Sequence, residues 1–142
     1  MDFSSLATEL LHYLHDAHKS QHHRNIRETL QGEAFALHFI ESHCNSTISA
    51  GDIGRNIGVS SARVATLLNE MEEKGLVTRE IDREDRRRII VKITAKGREI
   101  AEKNKRDFLQ RTVELLTSLG EYDAREFVRI MGRLAQEITN TY

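Results

Sequence analysis

The segment at residues 53–77 constrains the fold most, because it is predicted to form two short helices broken by a glycine. Apolar residues recur at helical spacing on both sides of Gly58, a residue suited to a turn with a positive φ angle. Gly54 has no side chain, so two helix axes can approach each other closely there. This pattern is typical of a helix-turn-helix, which places its second helix in a DNA groove. The apolar seam consists of Ile53, Ile57, Val59, Val64 and Leu67.

Composition favours a single, mostly helical domain over residues 1–142. The chain has no proline, is 39% hydrophobic and 30% charged, and lacks the roughly 20-residue apolar run of a membrane span. We expect no signal peptide, and the single cysteine, Cys44, fits a reducing cytoplasm. No phosphate-binding loop, metalloprotease motif or nucleophile motif is present, so neither an enzyme nor a cofactor is expected.

Helical periodicity and capping residues predict the order of elements. Ser49 with Asp52 resembles a capping box at the start of the third helix, and Ser60 caps the fourth. Gly75 ends the fourth helix, and Thr94 caps a long fifth helix. The other helices are predicted at residues 3–22, 32–43 and 121–139, with a short strand at 47–48.

Two segments rich in β-branched residues, 77–81 and 89–93, flank a charged loop and predict a hairpin of the kind called a wing. The net charge of the chain is −1, yet residues 78–98 hold eight Lys or Arg against four Asp or Glu. Such a local excess of positive charge is typical of a DNA-binding surface, although a solvated charged loop would have the same composition.

The fourth helix is expected to turn its apolar residues inward and to present a second face to the major groove. On that face Arg63 can hold guanine and Asn69 can pair with adenine. Ser60 is expected to contact phosphate, helped by the helix N-terminus. The alternative is that these polar side chains are merely exposed. The predicted base-reading residues are Ser61, Ala62, Arg63, Ala65, Thr66 and Asn69.

The wing loop interleaves acids with four arginines, and a loop that bound only phosphate would gain nothing from Asp85. An aspartate two residues before an arginine can fix the direction of that arginine by a bidentate pair. We therefore predict that Asp85 aims Arg87 into the minor groove, while Arg86 and Arg88 contact phosphates.

The winged helix-turn-helix needs only about residues 33–97, so the flanking helices carry apolar stripes outside it. These helices, at about 3–22 and 98–140, are predicted to bury their stripes in a two-fold dimer. Such a dimer would present two recognition helices to half-sites one helical turn apart. An intramolecular bundle in a monomer is the alternative.

Three short motifs resemble the wing block of the MarR family of winged helix-turn-helix regulators. They are residues 74–79 (Lys-Gly-Leu-Val-x-Arg), 85–87 (Asp-Arg-Arg) and 91–97 (Val-Lys-Ile-Thr-x-x-Gly). The resemblance implies a homodimer that represses genes at palindromic promoter sites and is released by a small molecule, oxidant or metal. It also assigns the wing arginine to Arg87 and the partner of that arginine to Asp85. Arg83 stands where the family often has proline, and Gly54 where it often has alanine.

A histidine stripe on the first helix is the other chemical feature of the sequence. Its four members share one helical face and could bind Zn²⁺ or titrate as a pH switch. Exposed or dimer-contacting histidines, or histidines lining a ligand pocket, are the competing interpretations. The stripe consists of His12, His15, His18 and His22.

Cys44 could sense oxidants if its thiolate were stabilised and accessible, and otherwise it is expected to be a small, semi-buried side chain. A winged-helix module that binds protein instead of DNA is a further alternative. Such a wing would tend to expose apolar residues, and this one exposes arginines. The sequence names neither the effector nor the operator.

Overall fold

The computed structural model describes residues 2–19 and 24–141, which form helices around a small antiparallel sheet. This architecture confirms the predicted mostly α fold with a hairpin wing. None of the helices in these two ranges is long and apolar enough to cross a bilayer. The elements are α1 (Phe3–Lys19), α2 (Arg24–Ser42), β1 (Ile48–Ser49), α3 (Ala50–Ile57), α4 (Ser61–Glu73), β2 (Val77–Ile81), β3 (Ile89–Ile93), α5 (Ala95–Leu119) and α6 (Glu121–Thr141).

The predicted start of α2 was wrong, because the helix begins at Arg24 and not at Gly32. The residues before Gly32 are mostly good helix formers, and one interior glycine costs a helix only about 1 kcal/mol. The short strand lies at Ile48–Ser49, one residue later than predicted. The predicted end of α1 falls in residues 20–23, which lie outside the described residues.

The helix-turn-helix forms as the sequence predicts, because its signals are local. The hydroxyl of Ser49 accepts the backbone N–H of Asp52, and the carboxylate of Asp52 accepts the N–H of Ser49, which completes the capping box. Gly58 adopts φ +71° in the turn. A Cβ atom at Gly54 would lie 3.1 Å from Val64 Cγ2, so the missing side chain permits the close contact of α3 with α4.

The sheet has the strand order β1-β3-β2, and both pairings are antiparallel. β1 adds a third strand to the predicted hairpin, with Ile48 opposite Val91. In the hairpin, Val77 pairs with Ile93 and Ile81 with Ile89, so the wing loop spans residues 82–88 as predicted. Thr94 then caps α5 and donates its hydroxyl to the carbonyl of Gly75 at 2.6 Å, which joins the base of the wing to the end of α4.

The buried core belongs to α2, α3, α4, the sheet and the start of α5. Among the described residues, neither α1 nor α6 contributes a side chain to it. The buried carboxylate of Glu33 on α2 accepts Lys74 Nζ at 2.7 Å and so ties α2 to the C-terminal end of α4. The core consists of Ala36, Leu37, Ile40, Ile48, Ile53, Val64, Leu67, Leu68, Met71, Leu76, Val77, Val91 and Ala101.

Candidate nucleic-acid interface

Helix α4 has one buried face and one exposed face. Val64, Leu67, Leu68 and Met71 are each no more than 2% exposed, which confirms the predicted inward face. These side chains fix the rotation of α4 about its own axis, because turning the helix would expose all four of them. The opposite face carries Ser61, Ala62, Ala65, Thr66 and Asn69, all exposed, with Arg63 half-buried at its flank. The orientation that base reading requires is therefore present, and the base contacts themselves stay a prediction.

The N-terminal turn of α4 is capped by Ser60, whose hydroxyl accepts the backbone N–H of Arg63 at 3.2 Å. The hydroxyl hydrogen of Ser60 is then left to donate, which is the role that a phosphate contact needs. The three glutamates of α4 lie at the other end of the helix. An approaching phosphate backbone therefore meets the capped N-terminus with less repulsion than the C-terminal end.

The wing loop is held by short-range hydrogen bonds. Asp85 Oδ1 accepts the backbone N–H of Arg87 at 3.1 Å and lies 3.5 Å from Arg87 Nε. The two side chains therefore form an ion pair through Arg87 Nε, and the bidentate geometry predicted for them stays a prediction. The side chain of Arg87 is 94% exposed, so it projects from an ordered turn into solvent.

Arg86 is exposed, whereas the guanidinium of Arg88 points back toward the body of the domain. Its Nη2 atom lies 3.9 Å from Asp52 Oδ2 and its Nη1 atom 3.9 Å from Asp82 Oδ2. Arg88 therefore lies between a carboxylate of α3 and the carboxylate of Asp82 at the start of the wing loop. The phosphate contacts predicted for Arg86 and Arg88 stay predictions, and Arg88 has this second set of partners.

Asp52 connects the capping box to the arginines beside it. The backbone N–H of Ser49 holds the pKa of Asp52 below its ordinary value of 3.8, against a partial desolvation that acts the other way. The Ser49 hydroxyl and the Arg55 guanidinium lower the same pKa further. A charged Asp52 thus stabilises the start of α3 and faces Arg88 at the end of the wing loop.

Arg79 belongs to this surface, although the sequence indicated it only as part of a family motif. It lies on β2, where Nη2 donates to Asn69 Oδ1 at 2.7 Å and Nε donates to Glu72 Oε2 at 2.8 Å. The signal in the sequence is the two-residue period of β2, since position 79 follows the buried Val77 on the same strand face. A charged residue at an inward strand position requires a polar partner.

The described histidines do not converge on a site. His12 Nε2 lies 3.1 Å from an oxygen of Asp16, and both side chains are more than half exposed. His15 is also exposed, while His22 and the side chain of His18 lie outside the described residues. Within the part of the chain that is described, no cluster of three metal-binding side chains occurs. Cys44 is exposed and not semi-buried, which corrects the sequence-based expectation.

Comparison with known families identifies the same part of the chain. The sequence profile of the MarR family matches residues 29–88, which include the helix-turn-helix and the wing loop. The HTH-type transcriptional regulator YdgJ of Bacillus subtilis is 30% identical over 93 residues, which is 66% of this chain and 57% of YdgJ. The chain therefore spans little more than half of the length of that relative.

Solved structures extend the likeness over the whole chain. A MarR family protein from Bacillus stearothermophilus has a TM-score of 0.69 at 22% identity, with 98% of this chain and 99% of that chain covered. A complex of S. aureus MepR with DNA has a TM-score of 0.65 at 19% identity, with coverage of 100% and 99%. At these identities the likeness establishes the fold.

Proposed function

This chain belongs to the MarR family of winged helix-turn-helix regulators, and from that premise we propose that it binds palindromic promoter DNA as a homodimeric repressor. The family consists of transcriptional regulators, which confirms that the chain is not an enzyme. We further propose that it acts in the cytoplasm and that a small-molecule effector releases it from DNA. The observation that carries the proposal is the exposed polar face of α4 beside an arginine-tipped wing.

Double-stranded DNA suits this surface for geometric and electrostatic reasons. A helix with one buried face and a polar outer face can enter the major groove, whose edges carry a distinct donor and acceptor pattern for each base pair. The exposed Arg87 can reach an adjacent minor groove, where a narrow groove attracts a guanidinium. The solved MepR structure that shares the fold is a DNA complex.

The homodimer is proposed because the single chain leaves large apolar faces exposed on its outer helices. Exposed apolar area on this scale marks an interaction surface in a soluble protein. A second copy is the partner that a two-fold site on DNA requires. The exposed residues include Phe3, Leu6, Leu10 and Leu14 on α1, Phe108, Leu109 and Val113 on α5, and Phe127, Met131, Leu134 and Ile138 on α6.

The test is fluorescence anisotropy with a labelled duplex of the DNA upstream of the gene, and with a scrambled duplex of equal length as the control. We expect tighter binding to the upstream duplex and one protein dimer per site. Between about 50 and about 200 mM salt, the affinity should fall with a log–log slope of about −0.9 per neutralised phosphate. Equal affinity for the two duplexes, or a slope near zero, would contradict the proposal.

The effector is tested on the same duplex after a thermal-shift screen of aromatic acids, fatty acyl compounds and divalent metals. A compound that raises the melting temperature binds the folded protein. We expect a true effector to lower DNA affinity as well, because it must favour a form of the dimer that fits the site poorly. A compound that stabilises the protein and leaves DNA affinity unchanged is not the effector.

A further inference from the structure

The hydrogen bond between Arg79 and Asn69 determines which chemical group Asn69 presents outward. A guanidinium carries only donors, so the atom of the Asn69 amide that faces Arg79 at 2.7 Å must be the oxygen. The amide is planar, and its NH₂ group therefore points away from β2. Asn69 is exposed, so an NH₂ group that points away from Arg79 is open to a ligand on the outer face of α4.

Glu72 holds the guanidinium of Arg79 in place beside Asn69. Its Oε2 atom accepts Arg79 Nε at 2.8 Å, so the same guanidinium bridges two residues that lie three positions apart on one face of α4. The Arg79 side chain is 26% exposed, well below the exposure of the wing-tip arginine. Arg79 is thus held by its position on β2 and by the carboxylate of Glu72, so its side chain cannot turn freely to solvent.

From this geometry we infer that Arg79 is a positioning residue for base recognition, which makes Asn69 a donor that selects guanine over adenine. The inference rests on the proposed DNA binding and names the specificity of one contact. Guanine offers two acceptors, N7 and O6, at its major-groove edge, and the outward NH₂ of Asn69 can donate to them. Bidentate pairing with adenine also needs the amide oxygen as an acceptor. Arg79 already donates to one lone pair of that oxygen and places a positive charge beside the other, which disfavours the approach of the adenine N6 donor.

This assignment differs from the expectation that Asn69 pairs with adenine, which came from residue type alone. An unconstrained asparagine can use both its oxygen and its nitrogen toward a base. Arg79 on β2 reduces that freedom, because the adenine N6 donor would have to share the oxygen with a charged donor that repels it. Specificity at this position is therefore set by a residue that need not touch the base.

The test is selection of binding sites from a randomised duplex library by the full-length protein, followed by sequencing. For the wild type, we expect one position in each half-site to favour guanine. Arg79→Met should reduce that preference about tenfold or more, the scale of one lost specific base contact, and leave the other positions unchanged. Arg86→Met is the matched control, because loss of a phosphate contact should weaken all sequences alike.

Asn69→Asp tests the same inference without removal of Arg79. One carboxylate oxygen would accept from Arg79, and the other would present an acceptor outward, so the preference should shift from guanine toward cytosine with its N4 donor. If Arg79→Met does not keep the wild-type melting curve, Arg79→Lys replaces it. Lysine keeps one donor for Asn69 and should retain part of the guanine preference.

The outcomes separate this inference from the proposed function. A wild-type protein that enriches no sequence overturns both. A wild type that enriches a palindrome, with an Arg79→Met profile that is unchanged or weakened equally at every position, overturns only the role of Arg79. Enrichment of adenine by the wild-type protein, at the position whose preference Asn69→Asp changes, also overturns the role of Arg79, since the amide oxygen would then be reading the base.

Discussion

The winged domain closes its own core, whereas the helices at the two ends of the chain leave their apolar faces open. Leu37, Leu67 and Met71 are at most 1% exposed, while Phe3 and Phe108 are each 75% exposed. Both regions have amphipathic sequences, so pattern alone does not distinguish them. The difference teaches that the winged domain buries its apolar residues within one chain, whereas the outer helices leave theirs exposed for the proposed dimer.

Helix α5 belongs to both regions and connects them. Its first turns carry the buried Ala101 and pack on the winged domain. Beyond them, Phe108, Leu109 and Val113 are exposed on the same continuous helix. Because a helix transmits position along its axis, α5 would fix the distance of each wing from the proposed dimer interface. The spacing of the two recognition helices on DNA would then depend on how α5 and α6 pack in the dimer.

The largest effect on DNA affinity is expected when the outer helices are prevented from associating. Leu134→Asp places a charge on the exposed apolar face of α6, where an interface would desolvate it at high cost. We expect the dimer to dissociate and DNA affinity to fall by about 10²–10⁴-fold, since two linked sites bind far better than one. Light scattering reports the mass, and anisotropy reports the affinity.

Gln136→Asp is the matched control, because it adds the same charge to the polar side of α6. The control should remain dimeric and bind DNA as the wild type does. Circular dichroism of the Leu134→Asp monomer should still show a folded winged domain. A Leu134→Asp protein that remains dimeric with full DNA affinity would place the association surface elsewhere.

The contribution of the winged domain's core to stability is tested by a substitution that creates a cavity in it. Leu67→Ala removes a side chain that is 1% exposed and should lower the free energy of unfolding by about 2–5 kcal/mol in urea titrations. Ile81→Ala, on the exposed surface of the wing, should change it by less than about 0.5 kcal/mol. Loss of similar stability in both variants would show that the core is not the closed unit described above.

The sequence predicted the winged domain well because its signals act over a few residues. The capping box at Ser49, the turn at Gly58 and the strand boundaries of the hairpin all depend on neighbours within one turn or one strand. The inward face of α4 follows from helical periodicity. The local preferences of these segments therefore agree with the final fold, and the sequence alone is enough to predict them.

The sequence predicted the interface less completely because its contacts join separate elements. Arg79 meets Glu72 and Asn69 across seven and ten positions and a change from helix to strand. Arg88 approaches Asp52 from the far end of the wing loop. Spacing did suggest that Asp85 faces Arg87, but it did not show that the backbone N–H of Arg87 would take the carboxylate.

The closed domain should tolerate the loss of the exposed arginine in the wing loop, whereas DNA binding should not. Arg87→Ala removes a side chain that is 94% exposed, so the melting temperature and the dimer should be unchanged. We expect DNA affinity to fall by about 1–3 kcal/mol, the scale of one specific arginine contact. Arg125→Ala, on α6, is the matched control and should bind normally. Unchanged affinity of Arg87→Ala would remove the minor-groove role.

The smallest expected effect concerns Asp52, whose charged carboxylate caps α3 within the closed domain. Its pKa is lowered in the folded state, chiefly by the N–H of Ser49, so its contribution to stability is present above pH 3.8 and is lost as the pH falls through the folded-state pKa. Asp52→Asn should cost about 1 kcal/mol at neutral pH, the scale of a helix cap. The difference between the two proteins in urea titrations should shrink as the pH falls below that range, because the wild-type carboxylate becomes neutral there. A constant difference at all pH values would mean that the shape of Asp52, and not its charge, stabilises the start of α3.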